Sequence, residues 1–284
     1  MSFFSITLLL VSAVLHTAWN LMLKQAGEKY MATWWAVLAG SVIFLPVLFF
    51  TGPPAREVWP LVLLSVVLEL GYYAALSAAY TASDFSLVYP IARGAAPGLI
   101  AVWSVLLLGE RLTSAGLLGL ALILAGLLIV SGSAFSDPNG QRPSLRGILL
   151  AGLLAVLISF YSIVDGSAVK HTAALPYTIT IFFLMPVFSA PLMLKRYGWP
   201  TLKNEWLSHR LQLTIIGLLS VGAYFLVLAA YSISLISYSG AIREVSVVLG
   251  AFAGWKFLRE RLGSLRLAGA LVIFLGIIVI ALWG

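Results

Sequence analysis

Seven ionisable side chains interrupt long apolar runs: His16, Glu69, Arg93, Asp165, Arg243, Glu244 and Lys256. An ionisable group in such a run is costly unless it faces a partner or a water-filled cavity, so each is a candidate functional residue. Arginine suits a carboxylate or phosphate, because its planar guanidinium donates two parallel hydrogen bonds. Glu69 and Asp165 offer acceptors for an ammonium group, and Asp165, followed by Glu69, is the candidate for proton coupling or for charge pairing with the arginines. Glu244 joins them as a charge partner beside Arg243. The competing assignment is that Arg93 and Arg243 pair internally with Glu69, Asp165 or Glu244 and serve folding alone. Two sets of aromatics lie on matching helical faces. Glu69, Tyr73 and Tyr80 fall at i, i+4 and i+11, and Ser220, Tyr224 and Tyr231 repeat that spacing. Such faces hold an apolar body and bond its polar groups. Tyr73 and Tyr224 are assigned to the pathway, whereas Tyr80 and Tyr231 sit where bilayer-interface tyrosines are also expected. His16 and Asn20, four apart, share a face with Trp19 nearby. Histidine titrates near neutral pH, but His16 also fits a packing role, and Asn20 also fits a tie between helices.

These residues need helices to position them. Of 284 residues, 61% are hydrophobic and only 10% charged, with a mean hydropathy of +1.04. Soluble domains carry about 25% charge, so a soluble enzyme and a disordered chain are both excluded. Apolar runs of the length a bilayer requires predict ten spans over 3–23, 32–51, 59–80, 87–107, 114–133, 147–169, 176–194, 211–231, 237–257 and 264–283. The fourth and ninth are the most interrupted, by Pro90, Gly94, Pro97 and Gly98 and by Gly240. The absence of cysteine excludes disulfides, thiolate metal sites and a cysteine nucleophile. No His-Glu-x-x-His, Gly-x-Ser-x-Gly or phosphate-loop sequence occurs, so no enzyme activity, metal or cofactor is expected. The formal charge of +7 resides in short loops beside apolar runs, which argues against nucleic acid and for orientation signals. Odd-numbered loops carry Lys24, Lys29, Arg142, Arg146, Lys195, Arg196, Lys203, Arg210, Arg259, Arg261 and Arg266, eleven in all. Even-numbered loops carry three, Arg56, Arg111 and Lys170. Both termini are therefore expected outside the cytoplasm. The start, Met1-Ser2-Phe3-Phe4, lacks the basic residues of a cleaved signal, so the first run is expected to stay as a helix.

The chain repeats itself. Residues 69–80 align on 220–231, pairing Gly71 with Gly222, Tyr73 with Tyr224 and Tyr80 with Tyr231. At an offset of 150, Arg93 falls on Arg243, Glu110-Arg111-Leu112 on Glu260-Arg261-Leu262, Gly119 on Gly269 and Gly126 on Gly276. Two units of five spans follow, 1–136 and 147–284, joined by a linker over 137–146. Five is odd, so the second unit enters the membrane from the opposite side, giving an all-α integral membrane protein of two inverted five-helix repeats. The glycine pairs are expected to pack the fifth and tenth spans closely. Pro46 and Pro191 should kink their helices, and the two Glu-Arg turns should fix helix ends.

Five spans repeated, with Glu-Arg-Leu after the fourth of each half, resembles the drug/metabolite transporter superfamily, and within it the EamA-type exporters. His16-Thr-Ala-Trp19-Asn20, Tyr89-Pro90-Ile91-Ala92-Arg93-Gly94 and Asp165-Gly166 support the resemblance. The similarity to YddG-type amino-acid exporters implies a secondary transporter moving small metabolites, apolar or aromatic amino acids foremost, out of the cell across a bacterial inner membrane. A drug-like or phosphorylated solute, and a channel, remain alternatives. Small multidrug members carry a carboxylate in the first span, where this chain has His16 and Asn20. The expected partners are the solute and the lipid bilayer, with the chain a monomer or homodimer.

Overall fold

A computed structural model describes residues 1–82, 85–135, 145–249, 252 and 264–284. Helices dominate, and no strand occurs among the described residues. The long ones are α1 (Phe3–Lys24), α2 (Lys29–Phe44), α3 (Trp59–Ala82), α4 (Phe85–Leu108), α5 (Ser114–Phe135), α6 (Leu145–Ala168), α7 (Ala174–Tyr197), α8 (Trp199–Ile233) and α10 (Ser264–Trp283), with the short α9 (Ile236–Ile242) between α8 and α10.

Local chemistry sets their ends. Ser2 accepts a hydrogen bond from the Ser5 N–H at 3.1 Å and caps α1; the Glu28 carboxylate accepts from the Met31 N–H at 2.8 Å and caps α2. Pro46 sits in a 3₁₀ turn, Leu45–Val47, which breaks α2 from a final turn at Leu48–Thr51, as a proline inside an apolar run should do. Pro186 and Pro191 are accommodated inside α7 without ending it.

Among the described residues, six stretches are long and apolar enough to cross a bilayer: Phe3–Leu23, Lys29–Thr51, Arg56–Ala75, Leu145–Ala168, Ala174–Tyr197 and Trp199–Ile233. The outer surface is correspondingly apolar, with Val67, Leu106, Leu118, Leu128, Leu149, Leu192 and Phe274 exposed. A soluble surface does not carry so much contiguous apolar area. Polar serines and acids occupy the interior instead.

Helices of the two halves pack chiefly on each other. α1 and α2 lie on α8, α3 and α4 on α6, and α5 on α10. Glycines make the last of these contacts close. A Cβ built on Gly126 would stand 2.7 Å from the Gly269 carbonyl oxygen, and one on Gly276 would stand 2.6 Å from that of Gly119. Gly40 and Gly217 meet in the same way where α2 crosses α8. Only residues without a Cβ let the backbones approach so closely.

Two segments differ from the sequence expectation. The stretch 199–208, expected as loop, is helical and joins α8 through a break at His209 (φ −128°, ψ 15°). Pro200 at its first turn pre-sets the helix, and Leu202 is buried against Met31 and Met193. The ninth span, expected over 237–257, is interrupted at Arg243–Glu244 rather than at Gly240. There Glu244, Ser246 and Val247 donate to carbonyls three residues back, a 3₁₀ tightening, before helix resumes over 245–249.

Candidate functional site

Asp165 anchors a cluster in which α3, α6, α7, α8 and α9 converge. It stands on α6, fully buried. Its Oδ1 accepts from the Tyr177 phenol at 2.7 Å, and its Oδ2 accepts from the Tyr224 phenol. Ser65 of α3 lies beside it. One helical turn along α3, Glu69 is buried within electrostatic reach of both Asp165 and Arg243.

Arg243 closes the cluster from the end of α9. Its side chain is 8% exposed, and its guanidinium carbon stands 5.7 Å from the centroid of the Tyr224 ring, a cation–π distance. Tyr161, Tyr231 and Glu244 are its other neighbours. The aromatics form a continuous wall. Tyr73 touches Tyr72 edge to face at 5.4 Å, Tyr72 meets Tyr161 at 6.1 Å, Tyr161 meets Tyr224 at 6.5 Å, and Tyr224 meets Phe182 at 5.3 Å. The arrangement joins two acids, a cation and phenols to an apolar face, so one compact region offers acceptors, donors and an aromatic surface.

Of the residues the sequence singles out, Glu69, Tyr73, Asp165, Tyr224, Arg243 and Glu244 come together here. Arg93 lies on α4, and its side chain falls outside the described residues, as does that of Tyr80. Lys256 lies outside them altogether. His16 and Trp19 pack edge to face at 5.0 Å, and the Asn20 amide donates to the His16 carbonyl at 2.7 Å, a bond within α1 and not between helices. α1 still reaches the region after Arg243, where the Thr17 hydroxyl donates to the Ser246 carbonyl at 3.4 Å. Trp103 packs at the α4–α6 contact, donating to the Ser159 hydroxyl at 3.1 Å and stacking on Phe160.

Tyr231 is 1% exposed and packs beside Gly166 and Arg243, so it is a core residue and not an interface anchor. Tyr161, Tyr177 and Phe182 belong to the cluster and were not anticipated. Tyr161 had a signal, since it precedes Asp165 by one helical turn on the same face. Tyr177 and Phe182 reach the cluster only through the packing of α7. Among the described residues, no three His, Asp or Glu side chains gather to hold a metal.

Comparison with known proteins agrees with this architecture. A solved structure titled "Crystal structure of protein" superposes with a TM-score of 0.77 at 19% identity, covering 99% of this chain and 98% of the other, a likeness of fold. No curated protein matches the sequence. The family model described as "EamA-like transporter family" matches residues 3–132 and again 145–282. With nearly its whole length so matched and its apolar helices able to cross a bilayer, the chain is an integral, multi-pass membrane transporter of small solutes and belongs to the EamA-like transporter family.

Proposed function

We propose that this chain exports a small zwitterion, an amino acid with an apolar or aromatic side chain, by alternating access of two inverted five-helix repeats, 1–136 and 147–284, about the Asp165 cluster. The observation that carries the reading is the convergence of Glu69, Asp165 and Arg243 on one aromatic wall. A purely anionic solute would have no use for the acids, and a purely cationic one none for the arginine. Arg243 receives the carboxylate through its planar fork. Asp165, held by the Tyr177 and Tyr224 phenols, is assigned to proton coupling, and Glu69 is assigned to receive the ammonium. Tyr73, Tyr161, Tyr224 and Phe182 supply the wall for the side chain. Arg93, Glu244, Asn20, His16 and Trp19 complete the pathway.

The interruption at Arg243–Glu244 supports this placement. Backbone outside the regular helical ladder is tolerated at membrane depth where it lines a cavity or lies inside protein, and broken helices hold substrate in inverted-repeat transporters. The pairing of helices supports the repeats: α1 on α8 is matched by α6 on α3, and α4 on α6 by α9 on α1. The protein acts as a monomer or homodimer in a bacterial inner membrane, with both tails outside.

Counterflow into proteoliposomes, run with a panel of amino acids, phosphorylated sugars and drug-like cations, tests the reading. Saturable exchange of apolar and aromatic amino acids is the expected result. Exchange of phosphorylated sugars with no movement of amino acids would replace the zwitterion by an anion. Rapid, non-saturable flux would make the protein a channel.

A further inference from the structure

The turn that follows α4 holds a carboxylate with no part in the cluster above. Gly109 adopts φ +67°, which ends α4 and turns the chain so that Glu110 points across to α9. The Glu110 Oε1 accepts from the Ile236 N–H at 2.6 Å, and its Oε2 accepts from the Ser237 N–H at 3.1 Å and the Ser237 hydroxyl at 2.6 Å. Two residues further on, the Thr113 N–H donates to the Tyr238 phenol at 2.9 Å, and that phenol lies directly against Gly116. A third tie comes from the turn after α6, where the Lys170 ammonium donates to the Ser234 carbonyl at 3.0 Å. Burial pulls Lys170 below the ordinary lysine range, against the opposing pull of the Glu110 charge. A cavity of about 270 Å³, lined by Glu110, Ser167, Lys170, His171, Leu235 and Ile236 among others, adjoins these contacts and is partly open.

Most helix caps come from the residue just before the helix. This one is supplied from over a hundred residues away and belongs to the other half of the sequence. The capped element is also the one that carries Arg243 and Glu244 at its far end, seven residues on. The first turn of α9 and Arg243 thus belong to one short helix.

We propose that Glu110 is the latch of a gate, holding the first turn of α9 against the turn after α4 beside this cavity and releasing α9, with Arg243, when the transporter changes state. The proposal rests on the transport reading, because a latch needs two states to divide. The three hydrogen bonds are charge-assisted, so the closed form depends on the carboxylate more than on any neutral contact nearby.

The test uses the cysteine-free chain with the single substitution Ser167→Cys, whose side chain lines the cavity. Its reaction with a membrane-impermeant maleimide is timed in the absence of any solute, in the Glu110 background and with Glu110→Ala or Glu110→Gln. Loss of the carboxylate should raise the labelling rate about tenfold in the alanine variant, and less in the glutamine variant, which keeps one acceptor. Equal labelling in a folded protein whose thermal transition has merely fallen would make Glu110 an ordinary helix cap and overturn the latch. If the alanine variant does not fold, Ser237→Ala removes only the hydroxyl bond to Glu110. It should raise labelling about threefold, and no rise there overturns the proposal equally. Faster labelling in a protein that moves no solute of the panel would leave the latch standing and defeat the proposed substrate instead.

Discussion

Two phenols, those of Tyr177 and Tyr224, hold the Asp165 carboxylate in place, one on each oxygen. Its place in the cluster suits a group that changes charge while its neighbours stay in position. Asp165→Asn should therefore keep counterflow exchange and abolish uphill movement driven by a proton gradient. Accumulation against a gradient in that variant, read with radiolabelled solute, would remove Asp165 from coupling. Arg243→Gln should reduce transport of every amino acid, because the carboxylate is common to all of them. Tyr224→Ala should weaken transport of bulky side chains more than of small ones, on the order of tenfold for an aromatic solute; equal losses across the panel would take Tyr224 off the selective wall. The sequence marks Glu69, Asp165 and Arg243 because charge inside an apolar run is costly enough to demand a reason. It does not mark Tyr177, whose phenol is one among eleven tyrosines until α7 packs on α3 and brings it to Asp165. Tyr231 misleads for a related reason: its position at a span end suggests the lipid interface, but the turn into α9 folds back over it and buries it.

Among the elements, α5 and α10 form a close pair, and their glycines show what the closeness requires. A methyl on Gly126 would meet the Gly269 carbonyl oxygen at 2.7 Å, inside any real Cβ contact, whereas one on Gly71 would meet only the Leu157 side chain at 3.8 Å. Gly126→Ala should thus lower stability by about 1–3 kcal/mol, and Gly71→Ala should change it by less than about 0.5 kcal/mol. Thermal unfolding of both variants in detergent decides the point; similar transitions would show that α5 and α10 can move apart at little cost. Spacing at seven residues made this interface legible in the sequence, because glycines on one helical face repeat at nearly two turns. The helix over 199–208 was not legible. Lys203, Asn204 and Glu205 read as loop, yet Leu202 is buried and the Trp35 indole donates to its carbonyl at 2.8 Å, with Trp206 tilted against Trp35 at 5.1 Å. Tertiary contact with α2, and not local apolar content, makes that segment helical. The interruption at Arg243–Glu244 is a similar case: glycine at 240 is the local breaker, but that glycine fits within α9 against Ile100, and the ladder gives way three residues later.

At the scale of the molecule, the two ends of the chain meet. The Met1 ammonium donates to the Gly284 carbonyl at 3.3 Å, so both tails lie on one face. The even-numbered connections gather there too. The Ala55 N–H donates to the Thr172 hydroxyl at 3.2 Å, and Lys170, Ser234, Glu110 and Thr113 join the turns between α4 and α5, α6 and α7, and α8 and α9. We assign the side of the bilayer this tied face occupies from charge, as part of the proposed orientation. Its connections carry three basic residues against eleven on the opposite loops, and the lysine- and arginine-rich side is retained in the cytoplasm. A reporter active only in the cytoplasm, fused after Gly284, should then be silent, and one inserted in the basic stretch after Tyr197 should be active. A bright signal from the C-terminal fusion would invert the molecule. The Glu110 latch would then close the cytoplasmic mouth instead of the outer one, and the direction of export would have to be argued from the opposite gate.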